Sequence, residues 1–226
     1  MIRRALVVGA GGEVGRATVA ALTAEGVTVV AAGRERDATD PVQVAALLAA
    51  ADPDLVVVTA GARPRMAPLD EQTWASFSAP WEVDVRIAFE VGRAALAAPL
   101  RPGSTVLIVS SGAALDGSPL SGGYAGAKRM QIFLVQYLRQ LADARGLKLT
   151  FVALAPRQFL TATAIGDAAA IAYSAQAGLP VEEFVRRRFP APLDADGVAR
   201  AVLSIAAGDH PEAAVLGLTG HGLAVP

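Results

Sequence analysis

The stretch Leu6-Val-Val-Gly9-Ala-Gly11-Gly12-Glu13-Val14-Gly15-Arg-Ala-Thr-Val-Ala-Ala-Leu22 leaves few folds open to the chain. An apolar, β-branched run enters a cluster of glycines, and a helical pattern follows at once; the order predicts strand, tight turn and helix. Glycines at 9, 12 and 15 let backbone amides approach a pyrophosphate, while the helix directs its positive N-terminal end at the same anion. This is a dinucleotide cradle, with Glu13 and Val14 inside the turn.

The rest of the chain repeats the alternation. Apolar runs predict strands near residues 3–8, 27–32, 55–59, 104–109, 148–153 and 213–218, and amphipathic patterns predict helices near 14–25, 41–50, 76–97, 122–145 and 194–207. Strands alternating with helices specify an α/β fold, a Rossmann-like doubly wound parallel sheet covered on both faces. Too few residues separate Gly33 from Pro41 for another helix and strand, so six strands are expected in a single domain spanning residues 1–226.

A second constellation carries chemistry. Ser111 closely follows the apolar run Thr105-Val-Leu-Ile-Val109, and Ser121-Gly-Gly-Tyr124-Ala-Gly-Ala-Lys128 comes soon after it. On a helix, Tyr124 and Lys128 share one face, so the ammonium lies beside the phenol and favours the phenolate. A tyrosine so placed exchanges a proton with an alcohol or a carbonyl oxygen. Ser110 is the competing hydroxyl, but strand alternation sends neighbouring side chains to opposite faces.

With both motifs placed, the chain resembles the short-chain dehydrogenase/reductase family over essentially its whole length. The glycine turn falls on Gly9, Gly12 and Gly15, the Asn-Ala-Gly that follows the family's strand on Thr59-Ala60-Gly61, and the catalytic Ser, Tyr and Lys on Ser111, Tyr124 and Lys128. The glycine spacing is nearer the family's extended branch than its commonest one, which has glycine where Glu13 stands. A fourth catalytic position, an asparagine in the family, falls on Asp84, and Arg157 follows Pro156 where many relatives have Pro-Gly. The resemblance implies hydride transfer between NADP(H) and a carbonyl carbon: Tyr124 donates the proton, Ser111 holds the oxygen, and Lys128 binds the nicotinamide ribose. Asp84 then accepts from water and from the lysine, or else caps or solvates its own helix. Ala60 and Gly61 are expected beneath the nicotinamide ribose, and Asp37-Ala38 beside the adenine. Two other readings stay open: redox-neutral chemistry, epimerisation or dehydration, on retained nucleotide, and non-catalytic nucleotide sensing.

Cofactor choice turns on Val29-Val-Ala-Ala-Gly33-Arg34-Glu35-Arg36. A carboxylate at this strand tip accepts from both ribose hydroxyls, whereas Arg34 offers a fork matched to a 2′-phosphate. NADP(H) is therefore expected over NAD(H), although Glu35 and Asp37 stand close enough in sequence to offset the arginine.

Composition sets the remaining bounds. The 226 residues are 53% hydrophobic with a net charge of −1, so a large core is available and no basic footprint for nucleic acid exists. The lack of cysteine removes disulfides and thiol chemistry. Met1-Ile-Arg-Arg-Ala-Leu-Val-Val resembles a signal-peptide start that glycines, Glu13 and Arg16 interrupt, and no apolar run is long enough for a membrane span. A cytoplasmic protein is expected, without a metal, since His210 and His221 lack partners at ligand spacing. Trp74, Phe77 and Trp81 read as one apolar helix stripe rather than a stacking platform, and Arg186-Arg-Arg188 as a solvated helix end, with a role at the cofactor phosphates or an acidic substrate as the alternative. Residues 156–192, with Phe159, Leu160, Ile165, Ile171, Tyr173, Leu179, Phe184 and Phe189, read as a lid over a largely hydrophobic carbonyl or alcohol substrate. Helices 81–98 and 124–144 carry more apolar surface than one sheet can cover. In the resembled family these two helices meet their symmetry mates, so a homodimer or homotetramer is expected.

Overall fold

Every central strand is apolar on both faces, and the molecule uses both. In the computed structural model, which describes residues 2–209 and 212–226, the sheet contains β1 (Arg4–Val8), β2 (Thr28–Ala32), β3 (Leu55–Val58), β4 (Thr105–Val109), β5 (Thr150–Pro156), β6 (Val215–Thr219) and β7 (Gly222–Ala224). Their order is β2-β1-β3-β4-β5-β6-β7, parallel except for the last pair. Alternation divides the core in two. Leu6, Val8, Val56, Val58, Val106, Ile108 and Phe151 face one side. Val7, Leu55, Val57, Leu107, Val109 and Leu154 face the other.

Helices α1 (Glu13–Ala24) and α9 (Ala195–Ala207) pack together over the second face. The first is covered by α2 (Pro41–Ala51), α4 (Arg86–Ala97) and α6 (Tyr124–Ala144). Asp40 starts α2 by accepting from Val42 N at 2.8 Å, with Pro41 ready at the first helical position. The remaining helices are α3 (Trp74–Pro80), the short α5 (Ala113–Asp116), α7 (Ala164–Ala177) and α8 (Val181–Arg188). None among the described residues is long and apolar enough to cross a membrane.

Three differences from the sequence reading have physical reasons. The sheet has a seventh strand, because the chain turns at Gly220-His221 and β7 pairs back on β6, with Gly222 at φ +113°; three residues are too few to show alternation. The helix expected over 76–97 breaks: α3 stops at Pro80, a wider π-helical turn runs Trp81–Val85, and α4 follows. Proline removes a backbone donor, and the wider turn that results carries Asp84. Trp74, Phe77 and Trp81 are thus not a core stripe. Trp74 is 78% exposed and stacks on Phe77, and Trp81 lies over Gly126. No regular element fills residues 33–40, as the short spacing required, so β2 forms the sheet edge.

Candidate active site

The chain leaves β1 in one direction to β2 and crosses back over β1 to β3, so a crevice opens where the order reverses, at the carboxyl ends of these strands. A cavity of about 530 Å³ occupies that end of the sheet. Its floor is bare backbone. Gly9 has φ +92°, and a Cβ there would stand 2.4 Å from Ala60 N; one on Gly15 would stand 2.2 Å from Gly9 O. These two glycines draw the turn onto β3 and the helix onto the turn. Gly12 is the N-cap of α1, and a Cβ on it would meet only Gly9 O, at 3.5 Å. The amide-rich start of a twelve-residue helix therefore faces the cavity through Gly12, Glu13, Val14 and Gly15. A diphosphate fits that surface.

Arg34 follows β2 and lines the same cavity. Its neighbours do not quench it by contact. Glu35 turns back to accept from Gly33 N at 2.7 Å, and the backbone hydrogen bonds at Glu35 and Gly33 hold its carboxyl below its ordinary range, with a smaller contribution from Arg36. Asp37 accepts from the Thr39 hydroxyl at 2.6 Å and the Thr39 amide at 2.9 Å, which lower it likewise. Asp37 and Ala38 do not line the cavity: the aspartate closes its own turn, and Ala38 is buried in the core. Gly9 and Ala60 also lie behind the cavity wall, where they pack the strands together.

Ser111, Tyr124 and Lys128 line the cavity with Gly61. Both serines border the cavity, but Ser110 is buried and commits its hydroxyl to Lys128 O at 2.8 Å, while the Ser111 Oγ accepts from Ala113 N at 3.2 Å and stays half-buried. Tyr124 opens α6, and the residue before it must be glycine, because a Cβ on Gly123 would stand 2.0 Å from Phe77 O. Lys128 Nζ lies 5.5 Å from the Tyr124 ring centroid and donates to Val109 O at 3.3 Å.

Asp84 is entirely buried, so it neither caps nor solvates its helix. Its Oδ2 lies 3.1 Å from Lys128 Nζ, and its Oδ1 accepts from Ala62 N at 2.6 Å. Gly61 leaves room for this, since a Cβ there would stand 2.8 Å from Oδ2. Gln131, one turn beyond Lys128 and also buried, donates to Asp84 O at 3.0 Å and ties the π-helical turn to α6. Burial pushes the Lys128 ammonium down, but the Asp84 charge, the Tyr124 oxygen and the contact to Asp84 together leave it above its ordinary value. Lys128 is a cation at neutral pH.

Arginines and the lid segment complete the cavity. Arg157 Nη2 lies 3.1 Å from both Asp116 oxygens, its stem accommodated where Gly112 and Gly217 have no side chains. Arg63 and Arg188 also line the cavity; the triplet at the end of α8 is exposed, as a solvated helix end is, and its last member borders the cavity as well. Phe159, Leu160, Ile165, Tyr173, Phe184 and Phe189 line it, but Ile171 points outward, 60% exposed, and Leu179 is not part of the lining. Tyr173 Oη is within 2.8 Å of Ser118 Oγ and accepts from Leu120 N at 3.2 Å, which ties α7 to the segment between Ser111 and Tyr124. His221 is exposed, His210 lies outside the described residues, and among the described residues no three potential ligands converge.

This is the geometry of a nucleotide-dependent oxidoreductase of the Rossmann type. The family model described as enoyl-(acyl carrier protein) reductase matches residues 6–189, and the chain belongs to the short-chain dehydrogenase/reductase family, whose members are NAD(P)-dependent oxidoreductases. No curated protein matches it in sequence. In fold it is similar to sorbitol-6-phosphate 2-dehydrogenase from Erwinia amylovora (22% identity, 96% of this chain and 98% of that one, TM-score 0.82). A variant of the actinorhodin polyketide ketoreductase with NADPH (20%, 96% and 96%, 0.81) and levodione reductase (20%, 96% and 96%, 0.79) are similar likewise.

Proposed function

We propose that the protein interconverts a carbonyl and an alcohol with NADP(H), with Tyr124 as the proton donor and acceptor. The observation that carries the reading is the buried Asp84–Lys128 pair beside Tyr124, at the mouth of a glycine cradle. NADPH, when bound, supplies the hydride. In the reducing direction the Tyr124 hydroxyl gives its proton to the carbonyl oxygen, and the resulting phenolate is stabilised by the Lys128 ammonium before solvent restores the proton. Ser111 donates to the same oxygen and fixes its position. Lys128 would also hold the nicotinamide ribose, and Asp84 keeps it in place in charged form.

Gly12 to Gly15 would hold the pyrophosphate, Gly61 would leave room for the ribose, and Arg34 would hold the 2′-phosphate, its neighbouring carboxylates being turned to their own backbone. The similar ketoreductase holds NADPH, which supports the same choice. Residues 156–192 act as the lid, and their aromatic side chains in the cavity favour a largely hydrophobic small-molecule substrate.

The assembly is a homodimer or homotetramer. Ile87, Val91, Ile132, Val135 and Leu138 are buried against the molecule's own core, whereas Phe89, Phe133, Tyr137 and Leu141 remain outside on α4 and α6. Turnover is tested by NADPH oxidation against a panel of ketones and aldehydes. Oxidation dependent on a carbonyl supports the reading; a protein that binds NADPH yet oxidises it with none of them contradicts it.

A further inference from the structure

Charge in the cavity does not cancel. Arg34, Arg63, Lys128, Arg157 and Arg188 line it against only Glu13 and Asp116. Asp84 neutralises Lys128 from behind, and Arg157 commits its fork to Asp116. Arg34 stands at the end of β2, on the adenosine side of the cradle. Two cations are left. Among the described residues neither Arg63 nor Arg188 meets a carboxylate.

Both stand at the nicotinamide and substrate end. Arg63 lies two residues past Gly61, on a loop fixed by the Ala62 amide's bond to Asp84. Arg188 ends α8 in the lid, with its guanidinium 6.0 Å from the Phe189 ring. That ring meets Phe159 edge-on at 5.1 Å, and Phe159 also stacks on Tyr173 at 5.7 Å and Phe184 at 6.3 Å. An aromatic wall thus adjoins one free guanidinium on the lid, with a second on the floor loop. Both arginines are exposed in the open cavity, and bringing the lid down over them without a counter-charge would be unfavourable unless an anion entered with them. A guanidinium fork suits the planar oxygens of a carboxylate or the oxygens of a phosphate.

We infer that the substrate carries an anionic group, carboxylate or phosphate, on an apolar, ring-sized body, with the anion held between Arg63 and Arg188 and the body against Phe159. This rests on the proposed carbonyl reduction and adds its substrate class. The anion would bridge floor and lid, so its binding would also hold the lid closed over Tyr124.

Calorimetric titration of the NADP⁺-loaded protein with 4-acetylbenzoate, phenyl phosphate and uncharged acetophenone tests the site without needing turnover. An anionic probe should bind at least about tenfold more tightly than acetophenone, and Arg63→Gln and Arg188→Gln should each erase most of that advantage, with Arg188→Lys restoring part of it. Preference for 4-acetylbenzoate alone identifies a carboxylate, and preference for phenyl phosphate alone a phosphate ester. Equal affinity for all three overturns the inference. So does a matching loss of NADP⁺ affinity in the two variants, since it would place the arginines on the cofactor. NADPH oxidation with 4-acetylbenzoate and acetophenone separates the two levels: turnover of both without an anion preference removes only the anion site, whereas selective anion binding with no turnover of any carbonyl removes the reductase reading.

Discussion

Lys128 and Asp84 meet at 3.1 Å with side-chain exposures of 6% and 0%, one from the helix that begins at Tyr124 and the other from a π-helical turn. A pair this deep is held by mutual need: removing one partner leaves the other charge buried and uncompensated, at a loss of about 3–5 kcal/mol. Asp84→Ala should show that loss in denaturant unfolding near neutral pH. The sign with pH follows from Lys128, whose folded value lies above its ordinary 10.5. The wild-type contribution is therefore fully present below 10.5 and lost only as pH rises through the higher folded value. In the variant, burial, the largest influence on the amine, is opposed only by the Tyr124 oxygen, so the stability gap to wild type should narrow as pH rises from 7 to 10. A gap that widens over that range would contradict the assignment.

Arg34 lines the cavity from the end of β2, and the carboxylates beside it bind their own turns. Arg34→Ala should weaken NADPH binding by about 1.5–3 kcal/mol and leave NADH nearly unchanged. Fluorescence titration of both nucleotides measures it. Equal losses, or none, would move the 2′-phosphate elsewhere.

The glycines of the cradle differ in what they tolerate. A Cβ on Gly15 would overlap Gly9 O at 2.2 Å, whereas one on Gly11 meets nothing within 4 Å. Gly15→Ala should cost about 1–3 kcal/mol of stability together with nucleotide affinity, and Gly11→Ala within about 0.5 kcal/mol. Thermal unfolding of both variants, with and without NADPH, gives the comparison.

Phe133, Tyr137 and Leu141 recur at helical spacing on the outer face of α6 and are 39%, 52% and 44% exposed. If this stripe meets a second copy, Tyr137→Glu with Leu141→Glu should convert an oligomer into a monomer of 23.1 kDa. Light scattering on both proteins decides between that and an unaltered mass, which would place the interface elsewhere.

The parts that sequence made legible are those written locally. Strands buried on both faces appear as unbroken apolar runs, and the cradle declares itself because glycine, strand and helix must follow in order. Ser111, Tyr124 and Lys128 are legible as a spacing. The Asp84 contact is not, because a lysine and an aspartate on different elements meet only when Pro80 breaks the helix and Gly61 clears the space. The bounds of α7 and α8 are illegible for the opposite reason: their apolar residues are divided between the cavity and the surface, which blurs the period. Arg63 belongs to no motif in the sequence, and Arg188 sits in what reads as a solvated helix end, until the fold places both in one cavity.

Proton transfer by Tyr124 is the central claim. Tyr124→Phe keeps the ring and its place at the head of α6, and it removes only the hydroxyl. The decisive measurement is the turnover rate of this variant with a carbonyl that the wild type reduces, taken beside its NADPH dissociation constant. The account predicts a fall of at least about a hundredfold in turnover with nucleotide affinity nearly intact. A variant that binds NADPH normally and retains a substantial fraction of wild-type turnover would contradict it.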